Sequence, residues 1–259
     1  MVLKFSPTYR IKPLIHILYH LEAKPPSGRV LYIMRKIQFS NGEYYHIFNR
    51  GVDKRVIFND HDDIERFFQS MKEFNHTDPI GSIYENSFKK EPGGSTSKFK
   101  KEDNLVNFIC YCLNPNHYHF ILEQVSDNGI EKFMHRVGTG YTMFFNRKYK
   151  RNGALFQGVY KAVYIDSNEQ LLHTSVYVNL NNKIHSLGGL ASKSSWDEYM
   201  KDDKNENKNN KNSKDKDEFC EKNIILDQFK NRDEYKNFAK DALVIIKENK
   251  DKGMKEFLI

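Results

Sequence analysis

VNFICYCLNPNHYHFILEQ, residues 106–124, is the stretch whose reading decides the fold. Two apolar runs, VNFICYCL (106–113) and HYHFILEQ (117–124), flank Asn114-Pro115-Asn116. Short runs rich in branched and aromatic residues on either side of a Pro/Asn turn read as a β-hairpin. A three-residue turn would oppose Leu113 to His117 and Tyr111 to His119. Under that register Tyr111, Leu113, His117 and His119 share one face, while Cys110, Cys112, Tyr118 and Phe120 share the other.

The segments on either side extend this hairpin into a domain. EYYHIFNR (43–50) reads as a further strand, stopped by Gly51. Asn59 or Asp60 can cap a helix whose apolar residues Ile64, Phe67, Phe68, Met71 and Phe74 recur at three and four. Residues 85–104, with Lys, Glu, Pro, Gly and Ser, read as a solvated loop. A second helix begins near Asp127 and carries Ile130, Phe133, Met134, Val137, Tyr141, Phe144 and Phe145 along one side. RKYKR (147–151) leads into a loop and short strand, GALFQGVYKAVYI (153–165). Ser167 or Asn168 then caps a third helix through LLHTSVYVNLNN (171–182). The expected fold class is α+β, a small antiparallel sheet packed with helices.

The two ends read differently. Residues 1–33 finish in KPPSGRV and form an N-terminal extension, upstream of Met34, where the regular pattern opens. His16 and His20 stand at helical spacing there, for which a loose amphipathic helix is the plainer reading than a metal site. The expected domain spans 34–195. Residues 196–218, mostly Lys, Asn, Asp, Glu and Ser, read as a disordered charged linker. Residues 219–259 recover helical periodicity and read as a C-terminal helical appendage.

Composition narrows the function. With 39% hydrophobic residues, nineteen Phe and fifteen Tyr, a 259-residue chain can bury a sizeable core. A formal net charge of +7 and a pI near 9.0 favour a polyanionic partner. Three cysteines make no disulfide framework and fit a reducing, cytoplasmic compartment. No run of apolar residues reaches the length of a membrane span, and the start lacks the pattern of a signal peptide.

His117 and His119 lie two apart on one strand, so both imidazoles leave from the same face. Two imidazoles side by side can hold a divalent metal and leave positions open for a substrate oxygen; structural hydrogen bonding is the competing reading. The spelling Cys-x-Cys-x4-His-x-His also suggests a zinc site through Cys110 and Cys112, against which the three-residue-turn register speaks. Tyr177 and Asn181 stand one helical turn apart on one face. A phenol, titrating near ~10, can attack phosphorus if a cation or base assists it, and Asn181 offers an amide oxygen as a further ligand. Tyr141 is the rival tyrosine, though its spacing fits the core. Arg136, Arg147, Lys148, Lys150, Arg151 and Lys161 flank the second helix and the following loop. With Tyr149 and Tyr160 interleaved, they form a candidate surface for unpaired bases and phosphates, or a merely solvated basic face.

Taken in order, these motifs resemble a known family. His117-Tyr118-His119 after Asn114-Pro115-Asn116 resembles the His-hydrophobe-His (HUH) motif of the single-tyrosine, insertion-sequence-200-like transposases. Tyr45-His46-Ile47-Phe48-Asn49-Arg50-Gly51 is similar to the first strand of their REP-associated branch, and Leu155-Phe156-Gln157-Gly158 through Lys161 to the loop before their catalytic helix. Tyr177-Val178-Asn179-Leu180-Asn181 resembles the helix motif itself; the family often has Pro next, where this chain has Asn182. The resemblance covers about residues 34–190. It implies a ferredoxin-like HUH nuclease fold, Tyr177 as nucleophile, and His117, His119 and Asn181 as ligands of Mg²⁺ or Mn²⁺. The implied reaction cuts single-stranded DNA near hairpins, giving a 5′-phosphotyrosine and a free 3′-hydroxyl that allow rejoining without ATP. The competing reading is a catalytically silent single-strand binder of the same fold, and monomer and homodimer stay open.

Overall fold

A computed structural model describes residues 37–83, 103–185, 192–201 and 218–251. The N-terminal extension with His16 and His20, most of the 85–104 loop and most of the charged stretch after 201 lie outside the described residues.

The strands are β1 (Tyr44–Arg50), β2 (Val106–Asn114), β3 (His117–Gln124), β4 (Lys161–Ile165) and β5 (Lys193–Ser194). They form one antiparallel sheet in the order β4-β1-β3-β2-β5. Helix α1 (His61–Glu73) joins β1 to β2, and α2 (Gly129–Lys148) joins β3 to β4. This βαββαβ order with a 4-1-3-2 core is the ferredoxin-like arrangement, so the domain is α+β as its sequence pattern predicts. Asp60 caps α1 by accepting the Asp63 N–H at 2.8 Å. Ile64, Phe67 and Met71 of α1 are buried, as are Phe133, Val137 and Tyr141 of α2. Both helices cover one sheet face through Phe67 against Tyr118 and Phe133 against Phe108. Each fully buried Phe of this layer contributes roughly 1.5–3 kcal/mol.

The opposite face carries the histidines. Helix α3 (Asn168–Asn179) lies over it, followed after Leu180 by the single turn α4 (Asn181–Ile184). Ser167 caps α3 by accepting the Gln170 N–H. The helix is buried on nearly every side from Leu171 to Leu180 because α6 (Asn223–Leu226) and α7 (Arg232–Asp251) cover it, and α5 (Trp196–Met200) packs on α7.

Two expectations need correction. The hairpin turn has two residues, not three: Asn114 pairs with His117, Leu113 with Tyr118 and Cys112 with His119. A one-residue slip transfers every side chain of a strand to the other face. Cys110, Cys112 and Asn114 therefore share the histidine face, while Tyr111 and Leu113 point to the helical layer with Tyr118. The turn is held by the chain after β1, since the Pro115 carbonyl accepts from Ile57 and Phe58 N–H at 2.7 and 3.0 Å and the Asn116 carbonyl from Gly51 N–H at 2.9 Å. Gly51 is required there, because a Cβ would come within 2.3 Å of the Arg55 carbonyl oxygen. The second correction concerns the linker, which does not start at 196. Trp196–Met200 is helical, with Tyr199 fully buried and its hydroxyl donating to the Ile109 carbonyl at 2.8 Å. Residues 219–251 belong to the same compact unit as the sheet rather than hanging from it. Among the described residues no helix is long and apolar enough to cross a membrane.

Candidate active site

The corrected register lines up rows of side chains across the histidine face. One row runs Lys161, Phe48, His119, Cys112 and Ser194, and the next runs Arg50, His117 and Asn114. Onto these rows α3 sets Tyr177, whose ring stands edge-on to His119 at 5.4 Å and to His46 at 5.9 Å. Asn181 follows on the next turn, and its Oδ1 lies 2.9 Å from His117 Nε2. The four residues singled out in the sequence thus meet at one place.

The hydrogen bonds around His117 bear on its tautomer. The Asn116 Nδ2 donates to the Lys54 carbonyl, so its Oδ1 is turned to His117 Nδ1 at 2.6 Å. That oxygen can only accept, so a proton on Nδ1 satisfies it and turns the Nε2 lone pair toward Asn181, the tautomer that suits a metal ligand. In that tautomer the lone pairs of His117 Nε2 and Asn181 Oδ1 face each other across 2.9 Å. The amide Nδ2 of Asn114 donates to both, at 2.9 and 2.7 Å.

A divalent cation suits this donor set. Two ligands each ~2.1 Å from one ion and at right angles lie about 3 Å apart, which matches the separation of the two lone-pair atoms. The Asn114 amide group, with its partial positive charge, takes the part a cation would take, and has to turn aside for one. Asn181 Nδ2 is buried with no hydrogen-bond partner, so that side chain is committed through its oxygen alone. Burial, and then the neighbouring imidazoles of His46, His117 and His185, hold His119 well below the ordinary histidine value. It is therefore neutral at pH 7, the form in which imidazole binds metals. Among the described residues no three of His, Cys, Asp and Glu gather as a metal-holding group, and the Asn181 amide oxygen is the further candidate donor beside the two imidazoles.

The case against a zinc site needs a new basis, because the register no longer separates Cys112 from the histidines. Burial pushes the Cys112 thiol up to about 12, and its sulfur is turned to Asn114 Oδ1 at 3.6 Å. We expect Cys112→Ala to leave the metal content of the purified protein unchanged, as measured by elemental analysis. Loss of a stoichiometric zinc in this variant would restore the cysteine site.

The basic candidates divide. Arg136 donates to the carbonyls of Phe74, His76 and Thr77, tying α2 to the end of α1. Lys148 bonds Asp60 and the fully buried Asp63, and Tyr149 donates to Asp63 at 2.8 Å. Desolvation pulls the Lys148 ammonium down, but these hydrogen bonds outweigh it and hold it above the ordinary lysine range. Arg151 is bonded to Asn146 and the Ala154 carbonyl. These groups, with Arg147 and Lys150 at the end of α2, belong to the helical layer on the far side of the sheet. Tyr160 packs partly buried beside Phe39. Lys161 alone of the six cations stands on the histidine face, over the Phe48 ring. Lys148→Met should cost ~1–3 kcal/mol by leaving the Asp63 carboxylate short of its partner. A urea unfolding curve checks it; unchanged stability with weakened DNA binding would make Lys148 a DNA contact instead.

Four site residues were given no role in the sequence reading: His46, Arg50, Asn114 and His185. His46 Nε2 lies 2.9 Å from His119 Nδ1. Arg50 is exposed directly opposite His117 and donates to Gln157. The His185 ring is 5.2 Å from His117. Burial, then the Lys250 ammonium 3.2 Å away, lowers His185 to about 4. His46 and Arg50 had a legible signal, alternation along β1, but their proximity to His117 and His119 depends on β1 pairing with β3.

Comparison with known proteins gives the following matches. No curated protein matches the chain. A solved structure described as the REP-associated tyrosine transposase bound to a REP hairpin is similar over 64% of this chain and 83% of its own, with a TM-score of 0.45 and 10% identity. Residues 82–181, which hold the hairpin, α2, β4, Tyr177 and Asn181, match the family described as "Transposase IS200 like".

Proposed function

We propose that this protein nicks and rejoins single-stranded DNA through a covalent link to Tyr177. The observation that carries the reading is the meeting of Tyr177, His119, His117 and Asn181 at one end of the sheet, with His117 Nε2 and Asn181 Oδ1 2.9 Å apart. The Tyr177 oxygen, on losing its proton, attacks phosphorus; the bond from phosphorus to the 3′-oxygen breaks, and that oxygen leaves as a protonated 3′-hydroxyl. A second 3′-hydroxyl then attacks the same phosphorus, releases Tyr177 and restores the phosphodiester. Mg²⁺ or Mn²⁺, held by His117, His119 and Asn181, supplies polarisation of a non-bridging phosphoryl oxygen when bound. The edge-on rings of His46 and His119 restrict where the Tyr177 ring can lie, which supports a preset direction of attack.

Arg50 and Lys161 are placed to meet phosphates running along the histidine face toward the site. Arg50→Ala and Lys161→Ala should each weaken DNA binding and reduce the slope of log affinity against log salt by about 0.7, checked by fluorescence anisotropy at several salt concentrations. Recognition of hairpins rests on the four sequence motifs shared with the REP-associated branch. The test of the whole reading is incubation with labelled hairpin-bearing oligonucleotides from the DNA flanking the protein's own gene, with Mn²⁺ and with Mg²⁺. A protein–DNA adduct that survives denaturing electrophoresis is the expected result. Binding without an adduct across several flanking sequences would leave the silent binder of the same fold as the better account.

A further inference from the structure

We infer that His46 is a positioning residue that fixes the proton of His119 on Nδ1 and so frees Nε2 for a divalent cation. The inference rests on the metal site proposed above and names a residue outside its ligand set. His46 lies on β1, on the histidine face, and is 1% exposed. Its Nε2 is 2.9 Å from His119 Nδ1, with the two rings stacked 18° from parallel. Only one nitrogen of that pair can carry the shared proton. If His46 donates, His119 Nδ1 accepts, the proton of neutral His119 sits on Nε2, and no lone pair is left for an ion. If His119 donates, Nε2 is bare. Binding of a cation at Nε2 therefore requires His46 as the acceptor.

The other histidine follows the same logic with a different partner. Asn116 Oδ1, 2.6 Å from His117 Nδ1, can take its proton, which turns the Nε2 lone pair toward Asn181. Each member of the pair thus has one acceptor behind it: an amide oxygen from the turn for His117 and a buried imidazole from the neighbouring strand for His119. Position 46 reaches His119 because Phe48, not His46, is its direct cross-strand partner; His46 is the same-face residue one step along.

The test compares His46→Phe, which keeps a ring but has no acceptor, with His46→Gln, whose amide oxygen can accept. Mn²⁺ affinity is measured by the electron paramagnetic resonance of free Mn²⁺, and the His119 tautomer by ¹⁵N NMR of the wild-type protein with Mg²⁺. We expect His119 to carry its proton on Nδ1, His46→Phe to bind Mn²⁺ about 10- to 100-fold more weakly, and His46→Gln to recover most of that loss. A proton on Nε2 of His119 overturns the inference, and that measurement does not depend on any variant folding. Wild-type affinity in His46→Phe overturns it too. His117→Ala separates the two levels. If it binds Mn²⁺ like wild type, the metal site itself is wrong. If it loses Mn²⁺ while His46→Phe does not, only the role of His46 falls.

Discussion

Tyr177→Phe should yield no covalent adduct and no cut strand, with rejoining lost at the same time. The substitution removes one oxygen and keeps the ring that packs against His119 and His46. At most one hydroxyl hydrogen bond is lost, ~1 kcal/mol of stability, so the fold and the sheet face are retained. Affinity for a hairpin oligonucleotide should therefore stay close to wild type. Cleavage should fall by on the order of 10⁴-fold or more, as when other enzymes lose a covalent nucleophile. The readouts are denaturing electrophoresis for the adduct and anisotropy for binding. A variant that still forms an adduct would move the nucleophile elsewhere. Tyr141, the rival in the sequence, is a poor replacement: its ring is fully buried in the opposite layer and its hydroxyl donates to the Ile57 carbonyl at 2.6 Å.

Tyr235→Ala is expected to be the most damaging change to stability, though it lies far along the chain from the family match at 82–181. Tyr235 is fully buried on α7, packed against Phe229 and Tyr199. Its hydroxyl is 3.2 Å from Ser175 Oγ and accepts from Asn179 Nδ2 at 3.2 Å, both on the helix that carries Tyr177. The Asn179 Oδ1 in turn accepts the Ser195 hydroxyl at 2.6 Å, and Ser195 Oγ accepts the Tyr111 N–H of β2 at 2.9 Å. One polar chain therefore runs from the C-terminal helix through α3 to the sheet. Removing the ring should cost ~3–5 kcal/mol, with a further contribution from the buried donors left behind. Against a typical total of ~5–15 kcal/mol, the melting temperature should drop by roughly 10 °C or more. Tyr235→Phe, which loses only the hydroxyl, should cost ~1 kcal/mol. Scanning calorimetry decides: an unchanged melting temperature in Tyr235→Ala would show that residues 219–251 are the detachable appendage their sequence suggests.

Much of the fold was legible because its elements are set by local periodicity. β1, β3 and α1 lie where alternation and three–four spacing put them, and Asp60 and Ser167 cap the helices as their residue types imply. The helix α3 gives a weaker pattern. Thr174, Ser175, Tyr177, Asn179 and Asn181 are all buried, so its polar residues do not mark a solvent face; they join side chains from elsewhere in the chain. The basic cluster misled for a related reason. Sequence shows that a lysine is present, but not that Asp63 holds it.

By itself the sequence determined that His117 and His119 share a face, since residues two apart on any strand do so in every register. It also placed Tyr177 and Asn181 one turn apart, and it carries four stretches that resemble motifs of one family in their order. Only the tertiary structure decided what those residues meet. The hairpin register rests on a turn one residue shorter than its spelling suggests, held by carbonyl bonds from residues 51–58, and this put Cys112 on the histidine side. Strand pairing brought His46 to His119, and chain from beyond the charged stretch closed over the tyrosine helix. The division follows from the physics: which way a side chain points is fixed by its own backbone, while its partner depends on contacts between segments far apart in the chain.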